Sequence, residues 1–278
     1  MVKKLLLIIV FLSLLWASSP VFAGEFRIYT ANGSQQLQRL TAPPRAMRIH
    51  GEAIELLVDY SGSMSGWINL AKEAIGIILP RLPYNSSVAL RVFGERPGTH
   101  PEITEVCKAS RVVTSFGKQN ERAVVKGLAE AKIGGGTPIE FALRETVEKD
   151  LKNLRVYDKN RTFKAKKIIL VTDGGEGCGG DPCAYIREVM RTRKDISIDV
   201  IQLGNDNRLA CLADETGGTF HKVNRSSQDF ELALEKAFNV PQGTVATRKY
   251  MEKSTYKPAP KKLSDRKQLA TKYKYVKY

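Results

Sequence analysis

Oxygen-bearing side chains cluster where two apolar segments of the sequence end. Asp59 closes one apolar run and opens a turn that carries Ser61 and Ser63, and Asp173 closes a second strongly apolar run. In an open α/β sheet, ligands bind where strands end at their carboxyl edge, so we expect these side chains to converge at an exposed strand end. All are hard oxygen donors, which suit Mg²⁺ or Mn²⁺ better than zinc or copper.

Thr137 adds a further oxygen donor, directly after the glycine loop 134–136. A Thr-Pro pair here is typical of a helix start, with Thr137 as the N-cap and Pro138 at the first helical position. Two carboxylates neutralise a dication, whereas hydroxyls add little electron density to it. An octahedral ion that holds some ligands through water also keeps room for another ligand. Together these donors predict a metal site that attracts an external carboxylate.

Strand and helix patterns alternate over residues 53–239. Apolar segments of strand length alternate with segments whose apolar residues follow the helical period. This alternation predicts a Rossmann-like, doubly wound α/β fold with a mostly parallel sheet. Strands 87–93 and 111–116 follow each other without a helix, so we expect one antiparallel edge strand. The other predicted strands are 53–58, 168–173, 196–203 and 219–223, and the predicted helices are 67–79, 120–132, 138–154, 184–193, 209–216 and 226–238.

The sequence resembles von Willebrand factor type A domains that carry a metal-ion-dependent adhesion site. The resemblance spans about residues 53–239 and is carried by Asp59-x-Ser61-Gly62-Ser63, by Thr137 and by Asp173-Gly174, in matching order and spacing. It implies that Asp59, Ser61, Ser63 and Thr137 surround the ion, with Asp173 bound directly or through water. It also implies that a Glu or Asp of a partner protein completes the shell in many members.

A group of exported bacterial members of this family is more similar still. They carry Thr-Asp-Gly-x-Glu-x-Cys-Gly-Gly-Asp-Pro-Cys, which stands here at residues 172–183. The chain departs from the family pattern at Tyr60, where a small residue is common, and at Gly175, where an acid is common. Neither departure removes a metal donor, although Tyr60 could crowd the rim of the site.

The first 23 residues have the pattern of a secretory signal peptide. Lys3 and Lys4 precede an apolar run of about twelve residues, shorter than the roughly 20 that a membrane-spanning helix needs. Val21-Phe22-Ala23 fits the small-x-small cleavage pattern, whereas a retained amphipathic anchor would need a polar face that the run lacks. We therefore expect cleavage before Gly24, a periplasmic or secreted protein, and no transmembrane segment in the mature chain. Residues 24–52 are polar and form an N-terminal extension.

All four cysteines lie beyond the predicted cleavage site. An even number in an oxidising compartment predicts two disulfides, for which three pairings are possible. The expected topology favours Cys107–Cys178 and Cys183–Cys211, because Cys183 and Cys211 follow neighbouring strands. Local pairing of Cys178 with Cys183 is the main alternative. A zinc site is disfavoured, because the spacing of Cys178 and Cys183 is loose for zinc and the other two cysteines are isolated.

Basic residues are concentrated at the end of the chain. Pro241–Tyr278 contains 11 Lys or Arg and 2 Asp or Glu, so +9 of the net charge of +15 lies there. Apolar periodicity stops in this segment, and we predict that residues 240–278 are a flexible tail. Its alternating Lys and Tyr residues could bind an anionic envelope polymer or lipid, or add a strand to another protein's sheet. Nucleic acid is a less available partner for an exported protein.

These observations favour a non-enzymatic, exported module that binds an acidic residue of a partner protein through Mg²⁺ (or Mn²⁺). The alternative is an envelope-associated scaffold whose basic tail docks on anionic polymer while the metal is only structural. A hydrolase is disfavoured, because neither Ser61 nor Ser63 lies in a G-x-S-x-G turn and no nucleophile has a visible base. A phosphate-binding P-loop is disfavoured as well, because no Lys follows the glycine loop and Thr137.

Overall fold

The computed structural model describes residues 25–29, 35–39, 46–224 and 226–240, so the predicted signal peptide (1–23) and the tail from residue 241 lie outside the described residues. In the described part, the strands are β1 (Glu25–Tyr29), β2 (Gln35–Arg39), β3 (Met47–His50), β4 (Glu52–Asp59), β5 (Ser86–Phe93), β6 (Ser110–Lys118), β7 (Leu154–Tyr157), β8 (Lys166–Thr172), β9 (Ile196–Leu203) and β10 (Phe220–Val223). The α-helices there are α1 (Ile68–Ile78), α2 (Glu121–Glu130), α3 (Ile139–Glu145), α4 (Pro182–Thr192), α5 (Ala210–Thr216) and α6 (Ser227–Ala237).

Six strands form one sheet in the order β10-β9-β8-β4-β5-β6. All neighbours are parallel except β5 and β6, which pair antiparallel at the edge. The predicted fold class, a mostly parallel α/β sheet with one antiparallel edge strand, is therefore confirmed. In the middle of the sheet, Val58 of β4 pairs with Val171 of β8. Because both strands end at the same edge, Asp59 and Asp173 are brought to one side of the sheet.

The side chains of β4 alternate between two buried layers. Ile54, Leu56 and Val58 belong to an apolar cluster that also contains residues of α1, α2 and α6. The intervening residues Glu55 and Asp59 face the opposite layer, which holds α3, α4 and α5. Burial on both faces explains why the strand is an apolar run, interrupted only by Glu55 between Ala53 and Val58, rather than an alternating pattern.

The structure corrects the predicted helix 138–154. α3 ends at Glu145, one π-helical turn follows at Thr146–Asp150, and Leu154 lies in β7. β7 pairs with β3, a strand that the sequence analysis did not predict. The buried residues of β7 are Leu154 and Val156, which alternate as a strand requires, whereas the helical interpretation used Leu154 alone.

The chain divides into two compact units. One extends to Arg48 and includes Asn153–Arg155, and within it β1 and β2 pair antiparallel. The other comprises Ile49–Lys152 and continues from Val156, and it contains the six-stranded sheet and all predicted site residues. None of the helices in the described ranges combines the length and the apolar composition that crossing a membrane requires.

Candidate functional site

Three loops meet at the carboxyl edge of β4 and are joined by backbone hydrogen bonds. Gly62 N donates to Gly135 O (3.1 Å), and Gly135 N donates to Gly94 O (2.9 Å). Gly94 has a φ of +74°, and a Cβ at this position would lie 2.6 Å from Gly136 O. Only glycine tolerates both the conformation and the close approach. Gly94 therefore allows the glycine loop to lie directly against the Asp59–Ser63 turn.

Asp59 lies beneath these loops with 0% of its surface exposed, so the expectation of an exposed strand end was wrong. Its Oδ1 accepts a hydrogen bond from Ser61 N (2.7 Å), and its Oδ2 accepts one from Thr172 Oγ1 (2.6 Å). Burial raises the pKa of Asp59 to about 6, while these hydrogen bonds oppose the rise and Asp173 adds to it. The carboxylate is therefore mostly ionised at neutral pH, and both of its oxygens are fixed.

A chain of hydrogen bonds joins Ser61, Ser63 and Asp173. Ser61 Oγ and Ser63 Oγ lie 3.1 Å apart, and Ser63 Oγ donates to Asp173 Oδ1 (2.8 Å). Burial raises the pKa of Asp173, and the hydrogen bond from Ser63 opposes that rise. Ser61 is buried, Ser63 is exposed and Asp173 is half-buried. The structure thus brings four of the predicted donors together, from buried Asp59 outward to Ser63.

Thr137 lies in the adjoining loop, but it does not cap a helix as predicted. α3 begins at Ile139 with Pro138 as the N-cap residue and without a side-chain cap. Ile139 N instead donates to the backbone oxygen of Thr137 (3.0 Å), as does Gly177 N (2.9 Å). Within the described residues the Thr137 hydroxyl makes no hydrogen bond. The hydroxyl that a cap would have used therefore remains available at the site.

Two acidic residues to which the sequence analysis gave no role hold the loop after Asp173 against α3. Glu176 accepts a hydrogen bond from Glu140 N (2.8 Å), at the beginning of α3. Glu140 in turn accepts one from Asp181 N (2.7 Å), which ties the loop to the N-cap residue of α4. Carboxylates near a helix N-terminus are stabilised by its unpaired N–H groups. The position of Glu140 in the first turn of α3 was a signal that could have found it, whereas Glu176 bonds to a residue 36 positions earlier in the chain and had no such signal.

Thr172 is a third residue that sequence reasoning missed. It is the last residue of β8, it is fully buried, and its hydroxyl donates to Asp59 across the sheet. The same hydroxyl accepts a hydrogen bond from Gly174 N (3.3 Å). Thr172 therefore both orients the Asp59 carboxylate and fixes the start of the loop after Asp173.

The structure contains two disulfides, as the sequence predicted. Cys107 pairs with Cys178 and Cys183 pairs with Cys211, with Cα–Cα distances of 5.5 Å and 5.8 Å. These are the pairs that the sequence analysis favoured, and they leave no free thiol for zinc in the described part. A Cβ on Gly136 would lie 3.2 Å from Cys178 Sγ. The first disulfide therefore packs against the glycine loop that leads to Thr137.

The two departures from the family pattern leave the rim of the site open. Tyr60 is fully buried and its hydroxyl donates to Leu128 O in α2, so its ring lies in the core and does not crowd the rim. A Cβ on Gly175 would lie 2.8 Å from the guanidinium of Arg208. Glycine at this position therefore makes room for Arg208, whose charge is paired with Asp206 (2.5 Å).

The donor set fits a hard divalent cation. Asp59 and Asp173 bring two carboxylates to one place, and neither has a salt-bridge partner among the described residues. The described part contains no group of three or more His, Cys, Asp or Glu side chains placed to hold a metal. Serine and threonine hydroxyls and water would therefore have to complete the shell. Mg²⁺ accepts such a set, because it takes oxygen ligands, needs only one or two carboxylates and keeps several waters.

Comparison with known proteins identifies the class of this α/β domain. The family model described as von Willebrand factor type A domain matches residues 52–222, more than half of the chain. The chain therefore belongs to the von Willebrand factor type A domain family. Domains of this family generally mediate protein interactions rather than catalysis.

Two proteins of Bacillus subtilis (strain 168) are similar in sequence. YwmD is 30% identical over 195 residues, which cover 66% of this chain and 83% of YwmD. YwmC is 30% identical over 178 residues, which cover 60% of this chain and 74% of YwmC. The solved structure of a von Willebrand factor type A protein from Catenulispora acidiphila matches with a TM-score of 0.52 at 20% identity, covering 68% of this chain and 43% of that one. This structural likeness supports the fold alone.

Proposed function

We propose that this protein is an exported, non-enzymatic module that binds an acidic residue of a partner protein through Mg²⁺. The ion would be held at a metal-ion-dependent adhesion site formed by Asp59, Ser61, Ser63, Thr137 and Asp173. The observation that carries the proposal is the meeting of two carboxylates, without a cationic partner in the described part of the chain, and a set of hydroxyls at the carboxyl edge of the sheet. Mn²⁺ prefers the same ligands and would serve as well. The bound ion would supply the positive charge that an external carboxylate requires as a ligand.

The site residues have different roles in this proposal. Asp59 supplies an ionised carboxylate whose oxygens each accept one hydrogen bond and keep further lone pairs for an ion or its water. Ser61 and Ser63 supply neutral oxygens and orient Asp173. Thr137, whose hydroxyl makes no hydrogen bond within the described residues, is suited to the outer rim, where the partner's carboxylate would arrive.

Export is part of the proposal. Disulfides persist in oxidising compartments and are rare in the cytosol, so the two disulfides favour the periplasm or the exterior. The signal-peptide pattern at residues 1–23 agrees with that location.

A pull-down experiment separates this proposal from the envelope-scaffold alternative. Wild-type protein, Asp59→Ala and a chain ending at Val240 are immobilised and incubated with cell-envelope extract in Mg²⁺ or in EDTA. We expect partners that bind only with Mg²⁺, that are lost with Asp59→Ala and that are retained without residues 241–278. Binding that survives EDTA and disappears with the tail would contradict the metal-dependent function and support the scaffold.

A further inference from the structure

A basic groove lies beside the candidate metal site. It has a volume of about 610 Å³ and is lined by α1, by the end of α2 and by residues of the three loops that meet at the site. Lys72, Arg96 and Lys132 line this basic groove, and none of the described residues that line it is Asp or Glu. Gly62 and Gly134, which also line it, belong to the loops that carry the candidate metal ligands.

The cations of the basic groove have no acidic partner in the described part of the chain. Lys72 Nζ lies 5.3 Å from the centroid of the Tyr60 ring, an uncharged neighbour. Glu95, a buried carboxylate in the adjoining loop, is already bound by Arg111 (2.6 Å) and by Lys132 N (2.9 Å). Burial lowers the pKa of Lys72, and the neighbouring charge of Lys132 lowers it further. An anion in the groove would relieve this repulsion.

Residues that line the basic groove are direct neighbours of residues of the candidate metal site. Gly62 stands between Ser61 and Ser63, and Gly134 N donates to Tyr60 O (3.1 Å). A partner segment that delivers one carboxylate to the ion would therefore have neighbouring residues at the groove. Residues of an extended segment are about 3.3 Å apart, so residues close to that carboxylate in sequence would meet the groove cations.

We propose that the basic groove binds further acidic side chains of the same partner, so that the recognised segment is rich in Asp and Glu. The inference rests on the proposed metal-dependent function and specifies the class of its partner. Charge complementarity supports this proposal, because the described lining of the groove contains three cations and no acid. Such an arrangement favours association with acidic segments and discriminates against basic ones.

Two synthetic peptides serve as probes in a fluorescence anisotropy experiment. Both carry one central Asp, which is flanked by Glu residues in the first peptide and by Gln residues in the second. The groove variant is Lys72→Gln/Arg96→Gln/Lys132→Gln. The matched control, Lys152→Gln/Lys159→Gln/Lys194→Gln, removes the same charge from exposed positions outside the groove. Calorimetry with Mg²⁺ alone measures the metal affinity of every protein.

In Mg²⁺ we expect the groove variant to bind the Glu peptide about tenfold more weakly than wild type, with the control changed less than about twofold. The Gln peptide should bind both variants and wild type alike, and Mg²⁺ affinity should be unchanged. If wild type and groove variant bind the Glu peptide equally and binding still depends on Mg²⁺, the proposal that the groove binds acidic side chains is wrong. The proposed metal-dependent function then stands. Binding that is lost in the groove variant but unaffected by EDTA supports the groove as a site for acidic side chains and contradicts the metal-dependent function. Equally tight, groove-dependent binding of an oligothymidine would overturn the assignment of an acidic protein segment.

Discussion

Strand β4 carries two buried carboxyl groups on one face, and their surroundings differ. Glu55 and Asp59 are each 0% exposed. Both oxygens of Asp59 accept hydrogen bonds, one from Ser61 N and one from Thr172 Oγ1. Neither oxygen of Glu55 has a hydrogen-bond partner in the described part of the chain. The same depth of burial therefore leaves one carboxyl group supported by donors and the other without any.

The charges near Glu55 are already balanced. Arg91 donates from Nε to Asp150 Oδ2 (2.6 Å) and from its terminal nitrogen to Asp150 Oδ1 (2.9 Å). Burial raises the pKa of Glu55 well above its ordinary value, and Asp150 raises it further, while Arg91 lowers it. Glu55 therefore favours its neutral form and belongs to the core.

The comparison of Glu55 with Asp59 shows that burial alone does not make a carboxyl group suitable as a metal ligand. Burial is the largest cause of the raised pKa at both positions. At Asp59, however, hydrogen bonds to the charged form counteract burial and hold the oxygens in place. A buried carboxyl group becomes a candidate ligand where donors stabilise its charge, which is the case at Asp59 and not at Glu55.

The largest effect should come from breaking the ion pair in the Glu55 region. Arg91→Ala leaves Asp150 without its partner in a largely buried position, which costs about 4 kcal/mol of unfolding free energy. Urea unfolding measures this loss, and Mg²⁺ affinity in the folded variant should equal that of wild type. The control Arg144→Ala breaks ion pairs at a side chain that is 44% exposed and should cost less than about 1 kcal/mol. A loss no larger than that of the control would contradict the importance of this pair.

Removing the other carboxyl group should mainly affect metal binding, with a smaller loss of stability because Ser61 N and Thr172 Oγ1 lose their carboxylate acceptor. Asp59→Ala deletes one of two carboxylates available to the ion, so the affinity for Mg²⁺ or Mn²⁺ should fall by at least about 100-fold while the fold survives. Calorimetric titration and circular dichroism measure the two properties. Glu55→Gln is the matched control and should bind the ion like wild type. Equal affinity in wild type and Asp59→Ala, with both proteins folded, would falsify the site.

Glu55 should also make stability depend on pH. A carboxyl group with a raised folded-state pKa contributes stability that is complete below its unfolded pKa and is lost as pH rises through the folded pKa. Glu55→Gln cannot lose a proton at this position, and any cost of its buried amide is independent of pH. The melting temperature of Glu55→Gln relative to wild type should therefore rise as the pH increases above about 4, the ordinary range of a glutamate carboxyl group. A difference that stays constant as the pH increases would show that Glu55 ionises normally.

The smallest effects concern two threonine hydroxyls that make no hydrogen bond within the described residues. Thr146 is buried in the π-helical turn, so Thr146→Val, which keeps the shape and removes the polar atom, should stabilise the protein by about 1 kcal/mol in urea unfolding. Thr137 is half-buried at the site, so Thr137→Ala should change stability by less than about 0.5 kcal/mol. It should lower Mg²⁺ affinity by less than about tenfold, because the hydroxyl is neutral, yet weaken partner binding. If Thr146→Val destabilised the protein, the prediction that its buried hydroxyl costs stability would be contradicted.

Local patterns in the sequence were sufficient for the sheet and for the positions of the candidate donors. β4 and β8 are mostly apolar and end in or before an aspartate, and parallel strands that end at one edge bring Asp59 and Asp173 together. Where a local pattern had two interpretations, the sequence alone misled. Leu154 fitted a helical spacing but lies in β7, and Thr137 fitted an N-cap although Pro138 occupies that position.

The sequence by itself determined which residues are apolar, where the strands end, and which side chains carry oxygen donors near those ends. Only the tertiary structure decided which polar groups are paired. The donor that orients Asp59 is Thr172, 113 residues away, and the partner of Arg91 is Asp150, 59 residues away. The cations of the basic groove, which have no acidic partner among the described residues, likewise come from separate elements. A hydrogen bond or ion pair depends on a few tenths of an ångström between groups far apart in the chain, and no spacing within one segment encodes that distance.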